Sequence, residues 1–112
     1  MYDTHIFLDF EMNPIPRQYK EARAMARAEI VEIGAVKLNA DYELVDRFAC
    51  YVRPEYNTIT PRITEITGIT QDKVENAQPF GPAMEAFGAW IGEGKSRIYS
   101  WSRTDQYELY DE

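Results

Sequence analysis

The chain has 112 residues, 45% of them apolar and 28% charged, with a formal net charge of −7. This length suits one domain that removes roughly two thirds of its unfolded surface from water, and the composition excludes a disordered or low-complexity chain. The acidic balance argues against a protein that grips nucleic acid through a broad basic surface, yet it leaves room for a metal-dependent nuclease, where cations rather than the protein meet the phosphate.

The first predicted strand, about Thr4–Phe10, carries the main clue. His5-Ile6-Phe7-Leu8-Asp9-Phe10-Glu11 is an apolar run ending in two carboxylates one residue apart. Side chains alternate along a strand, so Asp9 and Glu11 project the same way with Cα atoms roughly 6.5–7 Å apart. Two like charges at the tip of a buried strand cost desolvation and repulsion unless a cation or hydrogen-bond network offsets them. Asn13-Pro14-Ile15-Pro16 then predicts a break.

Gln18 to Ala28 reads as a helix, with Ala22, Met25 and Ala26 on one side and Lys20, Arg23 and Arg27 on another. That basic stripe reads either as a phosphate-contacting face or as an ordinary solvated one. Ile30–Leu38 is the second strand, in which Gly34 predicts a bulge or a close backbone approach. Asn39-Ala40-Asp41 makes a turn into a third strand, Glu43–Val52, so strands two and three form an antiparallel hairpin. The single Cys50 falls in that strand, cannot form an internal disulfide, and fits core packing in a reducing compartment.

Thr60 as N-cap and Pro61 in the first turn start a short helix that runs to about Thr67 and stops at Gly68. Asp72-Lys73-Val74 continues in turn or short-helix chemistry. Phe80, Met84, Phe87 and Ile91 recur at helical spacing and predict a core-facing helix that ends at Gly92. Arg97–Trp101 reads as a short strand, and Ser102-Arg103-Thr104-Asp105 opens a last helix. No segment has the length and apolarity of a membrane span and no leader pattern opens the chain, so the expectation is a cytoplasmic protein without membrane attachment.

Four ordered segments, Ile6-Phe7-Leu8-Asp9-Phe10-Glu11, Glu29 to Val36, Tyr51-Val52-Arg53-Pro54 and Ile66-Thr67-Gly68-Ile69-Thr70, resemble the DEDD 3'-to-5' exonucleases. Phe10 to Pro14 and Ile59 to Glu65 look most like the histone-mRNA exonuclease and sporulation-inhibitor branch, whose members carry a catalytic histidine (the DEDDh type). The resemblance implies an α/β, ribonuclease H-like mixed sheet with an antiparallel hairpin and flanking helices. It implies hydrolysis at the 3' end of single-stranded RNA or DNA with two divalent ions, Mg²⁺ or Mn²⁺, for which hard oxygen ligands are suited.

Residue by residue, Asp9 and Glu11 match the first motif and Asp105 the second, as metal ligands and catalytic residues. Asp105 has a second reading as an N-terminal helix acid reaching back to a cap at Ser102. Phe10, Met12, Thr67, Gly68 and Ile69 match the segments that cradle the terminal nucleoside, while Gly68 and Ile69 also fit a plain helix C-cap. Tyr99 and Trp101 read as stacking platforms for bases or, in a core strand, as buried rings.

The family's third motif, a histidine base followed by a last aspartate, lies well beyond the second. Only seven residues follow Asp105, and the one histidine, His5, precedes Asp9 on the first strand and reads as structural. The sequence thus predicts an incomplete domain. It is either the N-terminal part of a longer exonuclease, or a weakly active or inactive chain that keeps nucleic-acid or metal binding. Sheet edges left open would favour homo-oligomers.

Overall fold

A computed structural model describes residues 2–100. Four strands form one mixed sheet: β1 (Thr4–Pro14), β2 (Ala28–Asn39), β3 (Leu44–Tyr51) and β4 (Ser96–Ser100). Their order is β3-β2-β1-β4, antiparallel at β3/β2 and β2/β1 and parallel at β1/β4. A parallel β1/β4 pair requires a crossover, and α2 (Pro61–Thr67), α3 (Gln71–Glu75) and α4 (Phe80–Ile91) fill it. The predicted final helix with Asp105, and Trp101 at the end of the last predicted strand, lie outside the described residues.

Ile6, Leu8 and Phe10 of β1 bury themselves with Ile30, Ile33 and Ala35 of β2 against Ala83 and Phe87 of α4. Cys50 is half-buried at the edge of this core, and burial pushes its thiol above the ordinary range. The same helix is tied to the hairpin at its far end. Lys37 donates to the Trp90 carbonyl and lies over its ring, while Trp90 Nε1 donates to Asp46 Oδ2 at 2.9 Å. A smaller core of Val31, Ile69 and Val74 sits on the opposite sheet face, under α2 and α3.

A bulge explains how β2 serves both cores. Glu11 pairs with Glu32 but Met12 pairs with Ile30, leaving Val31 as the extra residue. Strict alternation would send Val31 toward α4, beside Ile33. The extra residue instead keeps it on the same side as Glu32, where it meets Ile69.

The structure corrects several sequence expectations. The first strand does not break at Asn13 but pairs through Pro14, because Asn13 and Pro14 find partners in Glu29 and Ala28. Recruitment of Ala28 and Glu29 into β2 shortens the predicted Gln18–Ala28 helix to α1 (Lys20–Met25), and Ala26 is already extended. Sheet pairing has overridden helix propensity there. No α1 residue is buried, and Met25 is 72% exposed. Arg23 of the basic stripe stays at the surface, where it donates to the Arg27 carbonyl at 3.4 Å.

Gly34 marks neither a bulge nor a tight approach. It pairs regularly with Asp9 and Ala49, and a Cβ there would meet only the Asp9 carbonyl, at 3.8 Å. At the β2–β3 turn, Asn39 Oδ1 accepts from the backbone N–H groups of Asp41 and Glu43, which lets Tyr42 hold a left-handed φ of 65°. Phe80, predicted to face the core, is 52% exposed at the first turn of α4.

Candidate exonuclease site

The site is built on the face of β1 opposite α4. Phe10 points into the large core, so Asp9 and Glu11 must point away from it. The ladder sets Glu32 directly across from Glu11 and Gly34 across from Asp9. Sequence reading singled out two of these carboxylates; Glu32 was the residue it missed as a site member. The available signal was a lone acid inside the apolar run Ile30-Val31-Glu32-Ile33.

The electrostatics record the crowding. Burial first, then the Asp9 and Glu32 charges, push the Glu11 carboxyl above its ordinary range. Glu32 rises for the same reasons, burial and then Asp9, and Lys73 pulls it partly back. Like charges held together in partial burial create a potential that a divalent cation would relieve. Asp9 and Glu11 fit such an ion in donor type and in shared orientation. Among the described residues no group of three or more His, Cys, Asp or Glu side chains closes around one point that could hold a metal. The coulombic coupling of Asp9, Glu11 and Glu32 acts over a longer range than coordination does.

Beside the acids stands the loop that ends α2. Thr60 Oγ1 caps the helix by accepting from Ile63 N at 3.3 Å, and Gly68 closes it with a φ of 80°, its N–H donating to the Thr64 carbonyl at 2.8 Å. Glycine fits that position because an L side chain resists the left-handed region. Thr67 Oγ1 accepts from Ile69 N at 3.0 Å and donates to the Ile63 carbonyl at 2.7 Å, so the threonine predicted to touch substrate also braces the turn. Thr64 Oγ1 donates to the Ile69 carbonyl at 2.7 Å, and the Ile69 side chain is buried on Val31. Gly68 itself is exposed.

The structure separates the predicted nucleoside residues into two groups. Thr67, Gly68 and Ile69 form one braced loop over the second core. The side chains of Phe10 and Met12 pack on the first core, on the other side of the sheet. From that side they offer the carboxylate face only backbone.

His5 occupies a different environment. It is 6% exposed, its ring stacks on Tyr42 at 4.2 Å, and its Nδ1 lies 3.0 Å from the Tyr99 hydroxyl. Tyr99 in turn stacks on Phe7 at 4.5 Å, which places it in an aromatic cluster of the sheet.

A mixed four-stranded sheet with paired acids on an inner strand and a capped-helix loop beside them places the chain in the ribonuclease H-like exonuclease class. The chain belongs to the RNase T exonuclease family, whose pattern it matches over residues 6–109. It is 36% identical over 84 residues to the PolC-type DNA polymerase III of Thermotoga petrophila, covering 75% of this chain and 5% of that protein. It is 40% identical over 65 residues to human 3'-5' exoribonuclease 1, covering 56% of this chain and 19% of that one. Among solved structures, the nuclease domain of 3'hExo, a DEDDh family member bound to rAMP, superimposes with a TM-score of 0.76 at 28% identity. That match covers 97% of this chain and 55% of the other. The chain therefore spans only a small part of these two longer relatives and about half of the solved 3'hExo chain.

Proposed function

We propose that this chain is the metal- and nucleotide-binding part of a 3'-to-5' exonuclease that takes the 3' end of single-stranded RNA or DNA. The observation that carries the reading is the shared face of Asp9 and Glu11, where burial and neighbouring charge raise the Glu11 carboxyl beside the braced Thr67–Gly68–Ile69 loop. Family membership and the rAMP-bound neighbour support it. Asp9 and Glu11, with Asp105, would hold Mg²⁺ or Mn²⁺; when bound, the cations supply Lewis acidity and charge neutralisation at the phosphodiester. The chain's own part is to seat the terminal nucleoside on the Thr67–Ile69 loop, present backbone from Phe10 and Met12, and keep the scissile phosphate against the carboxylates.

A second reading, a binding module without turnover, draws on His5. The ring is buried and engaged with Tyr42 and Tyr99, so it does not serve as a base at the carboxylates. Losing a positioned base removes a factor of about 10²–10⁴ in rate. Calorimetric titration with Mn²⁺ should show saturable binding that Asp9→Ala abolishes. A 3'-labelled oligonucleotide with Mn²⁺ then separates the readings by release of labelled mononucleotide. Absence of saturable binding, or binding indifferent to Asp9→Ala, overturns the metal site.

A further inference from the structure

Asn13 is the most completely buried polar side chain described, with 0% exposure, and it stands on β1 two residues beyond Glu11. Its amide uses both ends. Oδ1 accepts from Thr60 N at 3.1 Å, and Nδ2 donates to the Thr58 carbonyl at 3.1 Å. Only a side chain that offers a donor and an acceptor together can bridge that pair.

The partner matters as much as the bond. Thr60 is the N-cap of α2, and the other end of this helix is Gly68. A rise of 1.5 Å per residue puts the two ends only about 12 Å apart. Asn13 therefore grips one end of a short rigid lever, directly from the strand that carries the acids. Gln71 adds a second hold on the same segment, its Oε1 accepting from Ile59 N at 2.7 Å. The lever's far end rests on Val31 through Ile69.

We infer that Asn13 is a positioning residue that fixes the nucleoside loop against the Asp9–Glu11 face by clamping the start of α2 to β1. The inference rests on the nucleotide-binding reading above. Asn13 touches neither metal nor substrate; it sets where the Thr67–Gly68–Ile69 loop stands relative to the carboxylates. Without it, the Thr58 carbonyl and Thr60 N–H lose their buried partner and the helix can pivot about its Ile69 anchor.

The test uses the full 112-residue chain, with Mn²⁺ and adenosine 5'-monophosphate as probes. Asn13→Ala should leave Mn²⁺ affinity within about twofold, weaken nucleotide affinity by about tenfold, and rotate α2 relative to β1 in residual dipolar couplings. A purely stabilising role would lower the melting temperature without moving the helix in the folded protein. Unchanged nucleotide affinity and unchanged couplings in a folded Asn13→Ala chain overturn the inference. Should that variant fail to fold, Asn13→Ser is the second arm. Its hydroxyl is too short to bridge both groups and adds no charge beside the acids, so it carries the same expectations and the same overturning result. If the unsubstituted chain binds Mn²⁺ but no nucleotide, the nucleotide reading itself falls, an outcome distinct from an unaffected Asn13 variant.

Discussion

Lys73 donates to the Gly68 carbonyl at 3.2 Å and offsets part of the upward shift of the Glu32 carboxyl, so one cation joins the Thr67–Ile69 loop to the acidic face. It is exposed, and under the function proposed above it would meet a phosphate of an entering strand. Lys73→Gln should reduce the salt dependence of oligonucleotide binding by about one unit of slope, with Lys73→Arg restoring it. Fluorescence anisotropy across a salt series checks this; an unchanged slope excludes phosphate contact. Ile69 is a different kind of residue, buried at 2% exposure on Val31 and Val74. Ile69→Ala should cost about 2–4 kcal/mol in denaturant unfolding by emptying the smaller core. Asp9 and Glu11 were legible from sequence because alternation along a strand is a local rule. Glu32 was not, since its place across from Glu11 depends on a register that only pairing fixes.

At the scale of elements, α2 carries its own start and stop signals, and these were readable: Thr60, Pro61 and Gly68 occupy the cap, first-turn and left-handed positions in the structure. Thr60→Ala should destabilise the protein by about 1 kcal/mol through the lost cap. Gly68→Ala should cost a similar amount, about 1–2 kcal/mol, because its φ of 80° strains any side chain. Thermal melts of the two variants and their double mutant test whether the costs add. α1 shows the opposite lesson. Gln18 to Ala28 is rich in helix formers, but the tail of β1 needed a partner, and Ala28 and Glu29 were taken for it. Glu29 then accepts backbone N–H groups from Glu55 at 2.7 Å and Tyr56 at 3.0 Å, a contact across many residues that no local pattern announces.

Over the whole molecule, Glu11, Glu29 and Glu32 all have carboxyls raised above 4.5, with burial as the largest cause in each. A raised folded value means that the native state holds these protons more tightly than the unfolded chain. Their contribution to stability is then full below 4.5 and falls as pH climbs through the raised values. Asp46 runs the other way: the Arg47 N–H and then the Trp90 indole hold it low, so its contribution is present above 3.8 and fades as pH falls. Metal-free chain should therefore be most stable in mildly acidic buffer and lose melting temperature toward neutrality, with Mn²⁺ restoring part of the loss. A melting temperature in EDTA that rises from pH 5 to pH 7 contradicts this.

The sheet also presents β3 as an outer strand among the described residues, with Leu44 50% and Val45 53% exposed. We propose that this edge supports self-association. Sedimentation should then show a concentration-dependent dimer that Val45→Lys weakens. A monomer at all concentrations removes the proposal.

The extra residue in β2 has a consequence for change in chain length. Because Val31 is the surplus member opposite Glu11 and Met12, its deletion would leave every other pair of the β1–β2 ladder in phase, while the Val52 N–H would lose the Val31 carbonyl to which it donates at 2.8 Å. What would vanish is the floor beneath Ile69. One in-frame codon loss would thus unseat the Thr67–Ile69 loop while keeping the β1–β2 register and the acidic face, a route that no single substitution at those acids offers.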